Sequence, residues 1–123
     1  MTKEELNVTV ERPWGNYTSI EGGDLEGFKV KRIIVYPNQR LSLQSHKHRS
    51  EHWVITKGKG TAQLYTTNIE LKKNDHFFIS KGDIHRITNT GSENLEFIET
   101  QIGDYLGEDD ILRYEDDYGR ADK

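Results

Sequence analysis

HKHRSEHWVITKG, residues 46–58, decides how this chain is read. It opens with His46, His48 and His52, three of the five histidines in the chain, and sets Glu51 among them. It then runs through Trp53, Val54 and Ile55 to a glycine, Gly58. Side chains two apart on a strand share a face. Ser42, Gln44, His46 and His48 therefore fall on one side, and Leu41, Leu43 and Ser45 on the other. Two imidazoles spaced in this way and turned inward can reach a single ion. Zinc, iron, nickel, cobalt and manganese all accept mixed nitrogen and oxygen ligands. Glu51-His52, opening the next strand, supplies a third ligand.

A second segment, NDHFFISKGDIHRITN at residues 74–89, reads as a turn, an apolar strand, a tight turn at Lys81-Gly82-Asp83, then His85 and Asn89. His85 is the fourth candidate ligand, provided its strand lies alongside. His76 reads as a surface residue.

Outward from these segments the chain has the period of strands. FKVKRIIVYP, GTAQLYTT, IELKK and NLEFIETQIG are short runs rich in β-branched and aromatic residues, separated by Pro37-Asn38, KGKG, KKND and NTGSEN. No run with the period of a long helix precedes residue 104. Many short strands at close spacing predict an all-β fold, a sandwich or barrel with antiparallel pairing. The tail, GDYLGEDDILRYEDDYGR, is acidic, but Tyr105, Leu106, Ile111, Leu112, Tyr114 and Tyr118 are too apolar for a free tail. It is expected to pack back on the barrel with one short helical turn near residues 108–112. No repeat is visible.

The 123 residues fit one domain over 1–123, with an N-terminal arm at 1–12, a barrel over about 13–103 and a C-terminal segment at 104–123. The absence of cysteine excludes disulfides and thiolate metal sites. No apolar leader and no run of membrane-spanning length is present, so a cytoplasmic protein without a membrane partner is expected. A net charge of −4 argues against a nucleic-acid partner held by bulk electrostatics. An anionic small molecule would need a local basic pocket. GKGTAQ lacks the third glycine and the helix of a dinucleotide loop.

HKHRSEHWVITKG and SKGDIHRITN together resemble the two motifs of the cupin superfamily, with Glu51 seven residues before Gly58 as in that pattern. Ser80 and Asn74 replace the usual proline and glycine of the second motif, both at turns. RPWGNYTSI, LSLQSHKHRSEHW and NLEFIETQIGDYLGEDDILRYEDDYGR narrow the resemblance to the isomerase domain of type II mannose-6-phosphate isomerases, over about residues 11–120. The resemblance implies a small jelly-roll-like double-sheet barrel. It also implies a divalent metal, zinc foremost, with manganese, cobalt, nickel or iron as alternatives, held by His46, His48, Glu51 and His85. Gln44 is an alternative to His48, and otherwise a substrate contact. A homodimer is expected.

The implied reaction interconverts mannose 6-phosphate and fructose 6-phosphate, moving a proton between C2 and C1 through an enediol. It needs a base of suitable pKa and stabilisation of the enediolate oxygens. His52 and Glu99 are the candidate bases. Glu99 and Gln101 continue the side of Leu95 and Phe97, so they finish near the metal if that side faces the lumen. Lys31, Arg49 and Arg113 are the preferred cations for the phosphate, with Lys29 and Arg120 in reserve. Trp14 and Trp53 read as core or dimer residues. A noncatalytic sugar-phosphate or nucleotide-sugar binding module is the alternative. A cupin dioxygenase is disfavoured by the charge of the FKVKR face.

Overall fold

The computed structural model describes residues 6–121. In chain order the strands are β1 (Thr9–Arg12), β2 (Gly15–Gly23), β3 (Phe28–Val35), β4 (Leu43–Ser45), β5 (Arg49–Lys57), β6 (Lys59–Leu64), β7 (Thr67–Lys72), β8 (His76–Ile79), β9 (His85–Thr88), β10 (Leu95–Gly103) and β11 (Leu112–Glu115). Among the described residues the only helical element is a 3₁₀ turn at Asp24–Glu26. None of these residues lies in a helix long and apolar enough to cross a membrane. Residues 1–5 of the expected N-terminal arm, and 122–123 of the C-terminal segment, lie outside the described residues.

Two antiparallel sheets face each other. One has the order β1-β2-β3-β10-β5-β8 and the other β11-β4-β9-β6-β7. Their inner faces bury Ile33, Val35, Trp53, Ile55, Ile79, Ile87, Leu95 and Phe97, all at 5% exposure or less. Burial of a side chain such as Phe97 or Ile55 contributes on the order of 1.5–3 kcal/mol.

The register of the three central strands places the site. Phe97 on β10 pairs with Ile33 on β3 and Ile55 on β5; Glu99 pairs with Lys31 and Trp53; Gln101 pairs with Lys29 and Glu51. Each inner face thus turns from apolar to polar over the same two residues of ladder. One end of the barrel is a hydrocarbon core, and the other is lined by charged and amide side chains. On β3 this reverses the simple pattern: Lys29 and Lys31 are buried at 4% and 3%, while Val30 is only half-buried on the other face.

Two turns depend on backbone geometry. The Gln39 N–H donates to the Tyr36 carbonyl at 3.1 Å, closing a turn over Pro37 and Asn38. Asn38 takes φ 63° there, which asparagine tolerates. Gly58 has φ 79°, and a Cβ there would meet the Asn94 carbonyl oxygen at 2.7 Å.

The C-terminal segment folds back, but without the expected helical turn. Asp110 N–H donates to the Gly107 carbonyl at 3.1 Å in a single tight turn, and the chain then extends as β11 beside β4. Residues 112–115 satisfy the backbone edge of β4, a pairing that outweighs weak local helix preference. Leu106 is fully buried, Tyr118 packs against the core, and the Arg40 guanidinium donates twice to the Asp117 carboxylate at 2.8 Å.

Candidate functional site

His46, Glu51 and His85 are all buried, and each offers one ligand atom within 4.8 Å of the others. His46 follows β4, Glu51 stands on β5 and His85 opens β9. Gln44 joins them from β4, as the Cα partner of His85. The alternation read from the sequence holds through Ser42, Gln44 and His46, which are buried at 3%, 7% and 3%.

The alternation fails at Lys47-His48, where the chain bends and β5 restarts with Arg49 facing inward. This shift of one residue is the physical reason His48 stays outside the ligand group. Its side chain is 41% exposed, 3.4 Å from the Asp104 carboxylate and beside the Tyr105 ring. The same phase puts His52 on the outer face, packed on Phe78 with ring centroids 4.6 Å apart. His52 therefore does not face the cavity as a base must.

Both buried imidazoles are oriented by backbone. His46 Nδ1–H donates to the Asp110 carbonyl at 2.8 Å, and His85 Nδ1–H to the Asp83 carbonyl at 2.9 Å. A carbonyl oxygen only accepts, so each ring carries its proton on Nδ1 and presents the Nε2 lone pair to the centre. The Asp110 carboxylate also accepts from the Lys47 and His48 backbone N–H groups at 3.0 and 2.9 Å, pinning the bend. Burial lowers the His46 pKa to about 4, so the ring is neutral near pH 7.

Glu51 is held on all sides. Trp53 Nε1–H donates to Oε1 at 3.0 Å, Arg49 Nε–H donates to Oε2 at 2.9 Å, and Arg49 Nη2 forms an ion pair with the same oxygen at 2.8 Å. Burial pushes the Glu51 carboxyl up, but the neighbouring charge, that of the Arg49 guanidinium foremost, holds the group well below the usual carboxylate range. Glu99 goes the opposite way. Burial, then the Glu51 charge, pushes it up to about 8, and its proton serves a hydrogen bond between the two carboxyls. Gln101 Nε2–H donates to Glu99 Oε2 at 2.7 Å, while the Gln101 amide oxygen is buried with no partner among the described residues.

Two imidazole nitrogens, a carboxylate oxygen and adjacent amide oxygens fit a divalent cation of the zinc-to-manganese series. These groups line a cavity of about 690 Å³, counted with its open mouth. Lys31 lies within it, 3% exposed, its Nζ donating to Glu108 Oε2 at 2.5 Å and sitting 4.3 Å from the Tyr17 ring centre. Arg113 and Arg120 line the mouth, and so does Arg12, which the sequence did not single out. Arg12 stands at the start of the RPWG stretch, where nothing but its neighbours marks it. Glu108 and Asp110 lie in an acidic run that reads as a solvated face. Lys29 turns inward too, its Nζ donating to the Leu106 carbonyl at 2.7 Å.

A two-sheet antiparallel barrel with a His-Glu-His group at its polar end defines a cupin. The fold resembles the cupin domain of Schizosaccharomyces pombe Cnp3, with a TM-score of 0.70 and 19% identity over 76% of this chain and 67% of that one. It also resembles an S161A mutant of Bacillus subtilis oxalate decarboxylase OxdC, with a TM-score of 0.73 and 16% identity over 87% of this chain and 30% of that one. At such identities the likeness is one of fold.

Sequence makes the assignment narrower. Residues 1–116 match the family described as mannose-6-phosphate isomerase C-terminal, and the chain belongs to that family. It is 49% identical over 112 residues to the xanthan biosynthesis protein XanB of Xanthomonas campestris, covering 91% of this chain and 24% of that protein. It is 47% identical over 122 residues to the mannose-1-phosphate guanylyltransferase ManC of Salmonella typhimurium, covering 97% and 24%. Identity to the alginate biosynthesis protein AlgA of Pseudomonas aeruginosa is also 47%, over 98% of this chain and 24% of that protein. The chain thus spans about a quarter of the length of these relatives.

Proposed function

We propose that this chain is a metal-dependent isomerase domain interconverting mannose 6-phosphate and fructose 6-phosphate through an enediol. The observation that carries the reading is the position of Glu99, a buried carboxyl raised to about 8, in one cavity with His46, Glu51 and His85. Membership of a family described as mannose-6-phosphate isomerase C-terminal supports it.

The reaction carries a proton from one sugar carbon to its neighbour. A side chain that takes and returns that proton works best with a pKa near the operating pH, and Glu99 meets the condition. It is the proposed base, with the Gln101 amide fixing one of its oxygens. Lys31, its Cα partner on β3, places an ammonium beside the developing enediolate. His46, Glu51 and His85, with Gln44 beside them, would hold a divalent ion, zinc foremost, which would supply Lewis-acid stabilisation of the substrate oxygens. Arg113 and Arg12 at the mouth supply charge for the phosphate, which a guanidinium grips with two parallel donors; the Arg120 fork is engaged by the Asp116 carboxylate.

A noncatalytic sugar-phosphate module would need the rim cations but not a raised carboxyl beside the ligands. The experiment is a metal add-back assay. Protein stripped with a chelator should produce fructose 6-phosphate from mannose 6-phosphate only when a divalent metal is restored. Folded protein that gives no product with any of the five metals overturns the proposal.

A further inference from the structure

Arg49 occupies the coordinating atoms of the site. Its Nη2 lies 3.2 Å from His46 Nε2 and 2.8 Å from Glu51 Oε2, and its Nε donates to the same oxygen at 2.9 Å. His46 has already committed Nδ1 to the Asp110 carbonyl, so the lone pair that Arg49 engages is the one a metal would use. The guanidinium is only 8% exposed. An arginine does not give up its proton in a protein, so a second cation cannot be accommodated by neutralising it. Like charges in a poorly solvated interior repel strongly, and the group has to move.

The reverse also holds. Glu51 is 2% exposed, and a buried carboxylate without a cation is costly. The arginine therefore does for the metal-free protein what the metal would do for the loaded one. It has somewhere to go, because the Glu108 carboxylate exerts attractive charge on it from the same cavity.

We propose that Arg49 is the counter-cation of the metal-free centre, and that its guanidinium leaves His46 Nε2 and Glu51 Oε2 when a divalent ion binds. It thereby lowers the affinity of the centre for metal while stabilising the empty fold. This rests on the metal-site reading above and adds to it that one residue moves metal affinity and metal-free stability in opposite directions. A residue that only packs would lower both.

The test uses chelator-stripped wild type, Arg49→Met and Arg49→Lys at pH 8. Zinc affinity is read by competition with a chromophoric chelator, and metal-free stability by thermal melting. Arg49→Met should bind zinc at least tenfold more tightly than wild type and melt several degrees lower without metal. Arg49→Lys keeps the charge but loses the fork, and should fall between them in both readouts. Should Arg49→Met fail to fold, the lysine variant decides alone. Zinc binding in either folded variant no tighter than in wild type overturns the inference and leaves the metal site standing. A wild type that binds no zinc, manganese, cobalt, nickel or iron overturns both.

Discussion

Glu99 on β10 is the Cα partner of Lys31 on β3, and both side chains turn into the barrel at 7% and 3% exposure. On its other side Glu99 is partnered by Trp53 of β5, two pairs along the ladder from Glu51. A carboxyl in that position is desolvated, next to another carboxylate and opposite an ammonium, and its proton is finely balanced. If Glu99 is the base, Glu99→Gln should reduce kcat about 10²- to 10⁴-fold. Zinc affinity should stay within a few-fold of wild type, since Glu99 is not among the ligand group. Steady-state assays alongside chelator competition separate the two readouts.

The same carboxyl makes metal-free stability depend on pH. The folded pKa of Glu99 is about 8 against an ordinary 4.5, so the folded chain holds a proton that the unfolded chain has lost between those values. Stability from this group is full below pH 4.5 and is lost as pH rises through 8. His46 works the other way, lowered to about 4 from 6.5, so its effect is confined to pH values below 6.5. Between pH 6.5 and 8 Glu99 acts without that opposition and should cost about 2 kcal/mol. Urea midpoints in the presence of chelator should fall over this interval in wild type and stay level in Glu99→Gln.

The bend at Lys47-His48 predicts which histidines bind metal. His46→Ala should weaken zinc binding at least 100-fold, while His48→Ala and His52→Ala should leave it unchanged within a few-fold. Equal losses for His46→Ala and His48→Ala would place His48 in the ligand set after all.

Asp110 touches no ligand atom at the centre but fixes the ring of His46 through its carbonyl and the bend through its carboxylate. Supporting contacts of this kind are worth about 10- to 100-fold in metal affinity. Asp110→Ala keeps the carbonyl on His46 and removes only the carboxylate that pins the bend, so it should weaken zinc binding about tenfold, the low end of that range, and Asp110→Asn, which keeps one acceptor oxygen, should recover part of it. A loss of melting temperature with no change in zinc affinity would make Asp110 a structural residue only.

The barrel was legible because buried strands alternate, and the strands that carry Glu51 and Glu99 show that alternation plainly. Glu99 and Gln101 could be followed from Leu95 and Phe97 because β10 keeps its phase to the end of the strand. His48 could not be placed the same way, since the bend after β4 changes the phase and Asp110, which holds that bend, is 62 residues distant from His48 in the chain. The apolar residues of the tail predict that it packs, as it does, while the helical turn its sequence suggests is replaced by β11. Its acidic residues suggest a solvated face, whereas β11 is decided by the open edge of β4, which no local pattern reports. Glu108, bound to Lys31, and Lys29, bound to the Leu106 carbonyl, are likewise set by contacts between distant parts of the chain.

Isomerisation through an enediol is tested most directly by following mannose 6-phosphate in D₂O by proton NMR, with zinc-loaded wild type and zinc-loaded Glu99→Gln. Wild type should form fructose 6-phosphate carrying solvent deuterium at C1, and Glu99→Gln should do so at least a hundredfold more slowly. Folded, zinc-loaded wild type that leaves mannose 6-phosphate unchanged and without deuterium would contradict the isomerase proposal.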